Sequence, residues 1–354
     1  MKKPIDVAIL GATGAVGQRF IQLLEGHPWM RVAAVVASDR SAGKPYREAT
    51  NWVLSGLPPA DVAGLPVLPL GAPLDTPLVF SALPSSVAAE RELELAAAGH
   101  VVCSNVKSHR MAADVPLLIP EVNAGHLDLI HVQRSRRGWS AGALVTSPNC
   151  TTTPVVMALA ALKPFGILKV SAVSMQAISG AGYPGVASLD IFDNVIPYIP
   201  GEEEKLESES RKMLGTLTGT HIAPLEAIFS AQCNRVPVLD GHLVAVSIAL
   251  ESAPSLDEVK SAWENFTGPD VVASLPSAPE HPLVVRDAPD RPQPRRDRDE
   301  GAGMSTVVGR LRECPVLGYK FVAMAHNTVR GAAGGAILNA ELLIAQGFLD
   351  DAAG

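Results

Sequence analysis

Residues 7–10 form a short apolar run that leads directly into Gly11-Ala12-Thr13-Gly14-Ala15-Val16-Gly17, and residues 18–24 then carry apolar side chains at helical spacing. Few folds place a strand, a glycine turn and a helix in that order. Gly11 permits a tight turn, Gly14 lets the backbone approach a pyrophosphate, and Gly17 lets the helix close on the strand. The helix N-terminus then faces the phosphates, with Gly11, Thr13, Gly14, Ala15 and Val16 around them. The spacing is GxxGxxG rather than GxGxxG, so the pattern also fits a strand-to-helix turn that holds no ligand.

Further strand-like runs at 32–37, 77–82 and 100–104, with an alanine-rich helix over 87–98, continue the alternation. They predict an α/β fold with a Rossmann-like, doubly wound parallel sheet. The second strand ends in Ser38-Asp39-Arg40-Ser41-Ala42-Gly43-Lys44, close to where such folds meet the adenosine ribose. Ser38, Arg40 and Ser41, with Lys44, suit a 2'-phosphate and therefore NADP; Asp39 would accept from a free ribose hydroxyl and leaves NAD open. Leu83 sits just past a strand end, where ligands cross such sheets. At 354 residues the chain exceeds one ordinary core, which predicts a second domain.

A net charge of -7 with 18% charged residues gives no basic field for nucleic acid or an anionic membrane, so the expected partners are small molecules and identical subunits. No apolar run reaches about 18 residues, and the start lacks the apolar stretch of a secretion signal, so a cytoplasmic protein is expected. The Arg-, Asp- and Pro-rich patch 286–300 is expected to be a solvated loop.

Cys103, Cys150, Cys233 and Cys314 lie far apart, which fits neither a disulfide framework nor a metal site. Cys103 lies in an apolar strand and reads as core. Cys150 follows a strand-like run at 143–146 and opens Cys150-Thr151-Thr152-Thr153-Pro154 before an apolar helix at 155–162. Thr151 or Thr152 can cap that helix and Pro154 suits its first turn. Cys150 then lies near the positive end of the helix dipole, which favours thiolate, and the same amides could hold an oxyanion. Cys233 beside Asn234-Arg235 is the rival nucleophile.

A cysteine nucleophile needs a proton acceptor, and histidine titrates nearest neutral pH. Among nine histidines, His242 follows an Asp240-Gly241 turn and opens the apolar run 243–249, a strand edge that can face a cleft. By pattern alone it also fits a structural histidine, and His326 competes for the role.

The segments GATGAVG, SPNCTTTP, QAISGAGYPG, IPGEEEK, NRVPVLDGH, RPQPRRDRD and HNTVRGAAGGAILNAELL, in this order over nearly the whole chain, resemble the aspartate-semialdehyde dehydrogenase family, its archaeal and fungal branch. The resemblance implies that Cys150 forms a thioester, that His242 is the acid/base and that Gln176 orients the acyl group. It implies Arg235 as the clamp on the substrate carboxylate, Glu202 as partner of its ammonium, Lys205 and Arg110 as partners of phosphate, and Asn149 beside them. Which of Glu202, Glu203 and Glu204 meets the amine stays open. Ser179 and Gly180 resemble the loop near the nicotinamide, and Asn339 its carboxamide contact.

The implied organisation is an NADP-binding domain at 1–149, a second α+β catalytic and dimerisation domain at 150–330, and a helix at 331–354 that returns to the first, in a homodimer or homotetramer. The implied reaction is NADPH-dependent reductive dephosphorylation of 4-phospho-L-aspartate to L-aspartate 4-semialdehyde, in the route to lysine, methionine and threonine. Malonyl-CoA reductase resembles this family and would use the same cysteine, but its substrate has no amino group for Glu202. N-acetyl-glutamyl-phosphate reductase shares the architecture with a different nucleophile motif. A non-catalytic NADP-binding regulatory protein would lack Cys150, His242 or Arg235, and all three are present.

Overall fold

The structure is a computed structural model that describes residues 3–350, so the first two residues of the expected 1–149 domain and the last four of the expected 331–354 element lie outside the described residues. Strand β1 (Ile5–Leu10) buries side chains on both faces, Val7 and Ile9 into one core and Ala8 and Leu10 into another. A strand covered on both sides belongs in the middle of a parallel sheet. With β2 (Met30–Ala37), β3 (Val67–Pro69), β4 (Leu78–Ser81), β5 (Val101–Ser104) and β6 (Ala143–Thr146) it forms a six-stranded sheet in the order β3-β2-β1-β4-β5-β6. All five pairings are parallel. The helix predicted over 87–98 appears as Ser85–Ala97, and that following the glycine turn as Ala15–Leu23. The strand order reverses between β1 and β4, the crevice where ligands bind such sheets.

The second sheet is mixed. Strands β7 (Ile167–Gln176), β10 (Ile228–Arg235), β11 (His242–Leu250), β12 (Leu283–Arg286), β13 (Thr306–Cys314) and β14 (Gly318–Ala325) run in the order β10-β7-β11-β14-β13-β12, apart from a small ribbon of β8 (Thr216–Leu217) and β9 (Ile222–Ala223). One face holds a core with Val170, Val244, Val246 and Phe321, where Trp263 meets Phe321 edge-on at 4.9 Å. The topology also aligns strand ends. Parallel pairing sets Arg235 opposite Gln176, and antiparallel β11 begins at His242 beside them. Three candidate residues thus share one edge of this sheet. The helix Gly334–Ala345 is buried in the core of the first sheet, Ile337 and Leu343 joining Val7 and Phe20. Among the described residues no helix is long and apolar enough to cross a membrane.

The patch 286–300 is not the solvated loop expected from composition. It contains the end of β12 and the helical turn Pro294–Asp297, organised around a buried carboxylate. Asp297 pairs with Arg286 and Arg291 and accepts from the backbone N–H of Gln293 at 2.6 Å. Satisfied charge, rather than apolar content, orders the segment.

Candidate active site

Cys150 lies just ahead of the helix Thr152–Ala160, half-buried, between the two sheets. The cap of that helix differs from the expectation. Neither Thr151 nor Thr152 caps it: both hydroxyls are buried and unpartnered among the described residues. Asn149 takes over, its Oδ1 accepting from Thr151 N at 2.8 Å and its carbonyl from Thr153 N at 3.2 Å. An Asx-type turn therefore fixes the backbone on both sides of the thiol.

Cys150 Sγ lies 3.2 Å from His242 Nε2. Burial pushes the thiol up to about 12, the Glu202 carboxylate adds to the rise, and Arg110 and Arg235 offset it only in part. The thiolate expected from the helix terminus is thus not the resting form, because lost hydration outweighs the dipole. Burial also pushes His242 down to about 3, with Arg235 and His326 adding to the fall. His242 Nδ1 accepts from the backbone N–H of Ala177 at 3.0 Å. A neutral imidazole that accepts at Nδ1 carries its proton on Nε2, so the ring presents a donor to sulfur.

Gly180 closes over this pair. A β-carbon there would come within 2.9 Å of Arg235 Nη1 and 3.0 Å of His242 Nε2. Arg235 is held by the carbonyl of Ala177 at 2.7 Å through Nη1. Glu202 opens the helix Glu202–Met213 and is the member of the triplet that turns inward. Its carboxylate accepts from Asn149 Nδ2 at 2.9 Å, Lys205 Nζ at 2.6 Å and Gln176 Nε2 at 3.3 Å. Glu203 accepts from Cys233 N at 3.0 Å and so caps the edge of β10, and Glu204 is exposed. Cys233 itself is fully buried, with its thiol raised by burial.

Beside these groups a cleft of about 260 Å³ is bordered by Val16, Leu83, Lys107, Arg110, Asn149 and Lys205. A larger one of about 590 Å³ runs past Ala15, Val16, Ser179, Asp299 and His326. Both clefts reach the glycine turn, whose geometry fits a dinucleotide. Gly11 has φ +74°, and a β-carbon on it would lie 2.5 Å from the carbonyl of Ala82 at the end of β4. A β-carbon on Gly17 would lie 2.2 Å from the carbonyl of Gly11, whereas one on Gly14 meets nothing closer than 3.4 Å. The turn is therefore tight on its inner side and open where phosphates would lie, at the N-terminus of a helix. Thr13, with its carbonyl accepting from Gln18, belongs to this turn.

The remaining candidates stand apart. Ser38 and Arg40 are exposed and Ser41 half-exposed past the end of β2, an open place for the far end of a dinucleotide. Asn339 is buried, donating to Ser147 Oγ at 3.1 Å, and borders neither cleft, although its Oδ1 has no partner among the described residues. Sequence reading missed Lys107 and two buried groups on the inner helix, Glu209 and Lys212. The spacing of 202, 205, 209 and 212 along one helical face was the available signal.

Two family models match: residues 6–130 fit the semialdehyde dehydrogenase NAD-binding domain, and residues 159–330 its dimerisation domain. The chain is 50% identical to the aspartate-semialdehyde dehydrogenase of Archaeoglobus fulgidus over 96% of its length and 98% of the relative's. To the Schizosaccharomyces pombe enzyme it is 46% identical, over 97% and 99% of the two chains. The crystal structure of the Candida albicans enzyme with NADP superposes with a TM-score of 0.90 at 40% identity, covering 98% of this chain and 100% of the other. On the sequence motifs, the two sheets and these likenesses together, the chain belongs to the aspartate-semialdehyde dehydrogenase family.

Proposed function

We propose that the protein catalyses NADPH-dependent reductive dephosphorylation of 4-phospho-L-aspartate to L-aspartate 4-semialdehyde through a thioester on Cys150. The observation that carries this is the Cys150–His242 contact of 3.2 Å, flanked by the carboxylate of Glu202 and the guanidinium of Arg235. Arg235 suits the substrate carboxylate through paired hydrogen bonds, and Glu202 suits the ammonium group. Asn149, Gln176 and Lys205 hold the Glu202 carboxylate in the ligand-free protein, and the substrate ammonium would take the place of one of these donors. Arg110 and Lys205 suit the phosphate, and Gln176 the acyl oxygen.

In the reaction the sulfur of Cys150 attacks the acyl carbon, the carbon–oxygen bond to phosphate breaks, and the thiol proton leaves with the phosphate. His242 donates its Nε2 hydrogen bond to sulfur, which stabilises the thiolate when the reduced intermediate collapses to aldehyde, and a proton taken up from solvent then restores the thiol. NADPH, when bound, supplies the hydride. The glycine turn from Gly11 to Gly17 would hold its pyrophosphate, Ser38, Arg40 and Ser41 its 2'-phosphate, Ser179 and Gly180 its nicotinamide end, and Leu83 its flank. The inward-facing Glu202 favours an amino-bearing substrate over malonyl-CoA. Copies of the chain pair through the outer face of the second sheet, as a dimer or a dimer of dimers.

Rapid quench with substrate, intact-mass detection of an acyl adduct and peptide mapping test the reading. The adduct belongs on Cys150; an adduct on Cys233 overturns the mechanism.

A further inference from the structure

The helix Glu202–Met213 carries Glu202, Lys205, Glu209 and Lys212 along one face, at spacings that keep them in line. Lys205 borders the 260 Å³ cleft, and Glu202 is paired with it at 2.6 Å. The second two are buried, with Glu209 1% and Lys212 7% exposed, and the reaction as described leaves them without a task. Burying a carboxylate is costly unless it is fully paired. Glu209 is paired at both oxygens. Its Oε1 accepts from Arg110 Nη1 at 2.9 Å, and its Oε2 accepts from the backbone N–H of Asn149 at 2.6 Å.

These two partners come from different parts of the chain and serve different ends. Arg110 follows β5 and borders the 260 Å³ cleft. Its Nη2 is taken by the carbonyl of Asn105 at 2.7 Å, and its Nε is buried without a partner among the described residues. Asn149 precedes Cys150 and holds the turn that aims the thiol. Lys212, one turn further on, holds the same Arg110 segment by donating to the carbonyls of Arg110, Ala112 and Val115 at 2.7, 2.9 and 2.8 Å. A single carboxylate thus ties the guanidinium facing the anion cleft to the backbone of the nucleophile turn.

We propose that Glu209 is a positioning residue that holds the phosphate-binding guanidinium of Arg110 in register with Cys150. Phosphate affinity and thiol reactivity then depend on the same side chain. The inference rests on the reading of Arg110 as a phosphate partner. Glutamine at this position offers one carbonyl and one NH₂ group, so either Arg110 or Asn149 N–H faces another donor and one link is lost. Aspartate keeps the charge but is one methylene too short to span both.

The test compares the full-length protein with Glu209→Gln and Glu209→Asp. The measurements are kcat and the KM for inorganic phosphate during NADP reduction with aspartate semialdehyde, protection of Cys150 from iodoacetamide by phosphate, Kd for NADP, and the thermal midpoint. Both variants are expected to bind NADP as the parent does, while the phosphate KM rises roughly 10- to 100-fold, kcat falls and protection weakens in step. Glu209→Asp carries the test should Glu209→Gln not fold. A folded variant with unchanged phosphate KM and protection, or one that loses only thermal stability, overturns the proposal. A parent protein that shows no phosphate-dependent turnover and no phosphate protection instead overturns the reading of the site itself, before any variant is compared.

Discussion

At the N-terminus of the helix Thr152–Ala160 two effects of opposite sign act on the Cys150 thiol. The helix terminus is worth roughly 0.3–1 kcal/mol, under about one pKa unit. Burial and the neighbouring Glu202 carboxylate push the other way and carry the thiol to about 12. A thiol whose pKa is raised must lose its proton before alkylation, so inactivation of ligand-free protein by iodoacetamide should climb with pH without a plateau below about pH 9. A plateau near neutral pH would show the thiolate that the sequence reading expected. Cys314 has its thiol held below the ordinary range by backbone N–H groups of Leu317 and Val316, so peptide mapping has to assign the modified residue. Cys150→Ser should keep NADP affinity and lose nearly all turnover, because a serine hydroxyl is a far poorer nucleophile here. Arg235→Lys should lower kcat/KM for the semialdehyde at least about tenfold with NADP binding unchanged, since lysine cannot supply paired hydrogen bonds. Steady-state kinetics beside equilibrium cofactor titration separate the two effects, and near-normal efficiency would remove Arg235 from the substrate site.

Within single elements, the segment around Asp297 offers a stability test. Its carboxylate is fully buried and shared by Arg286 and Arg291, so Asp297→Asn should cost about 2–3 kcal/mol in urea unfolding. A loss within about 0.5 kcal/mol would mean that solvent replaces these bonds. The sequence showed only a charged, proline-rich stretch there, because composition does not reveal which carboxylate its neighbours enclose. The opposite holds for the Gly11–Gly17 turn: each glycine acts on atoms close by in the chain or at a strand end, so its role was legible residue by residue. Cys150, His242, Arg235 and Glu202 were identified through whole motifs rather than by spacing. Glu209 was legible only as a position on the helical face of Glu202 and Lys205; its task was not, since its partners lie 99 and 60 residues away in sequence and only the folded chain brings them together. Sheet order in the second domain was hidden for the same reason, as parallel β7 and β10 have residues 177–227 between them.

Across the whole molecule, the second sheet leaves a face open. Val173 on β7 is 38% exposed, and the segment that follows this strand exposes Leu189 at 94% and Phe192 at 74%. Apolar surface of this kind marks an interface, and the matched dimerisation domain spans the same residues. Sedimentation velocity should show at least two copies, and the double change Leu189→Asp with Phe192→Asp should shift the protein toward monomer; an unshifted assembly would place the interface elsewhere. The chemistry is tested most directly by following NADPH formation from L-aspartate 4-semialdehyde and NADP with and without inorganic phosphate, beside NADPH oxidation with malonyl-CoA. Phosphate-dependent NADPH formation and no malonyl-CoA-dependent oxidation is the predicted result. Oxidation of NADPH with malonyl-CoA, without turnover of the semialdehyde, would contradict it.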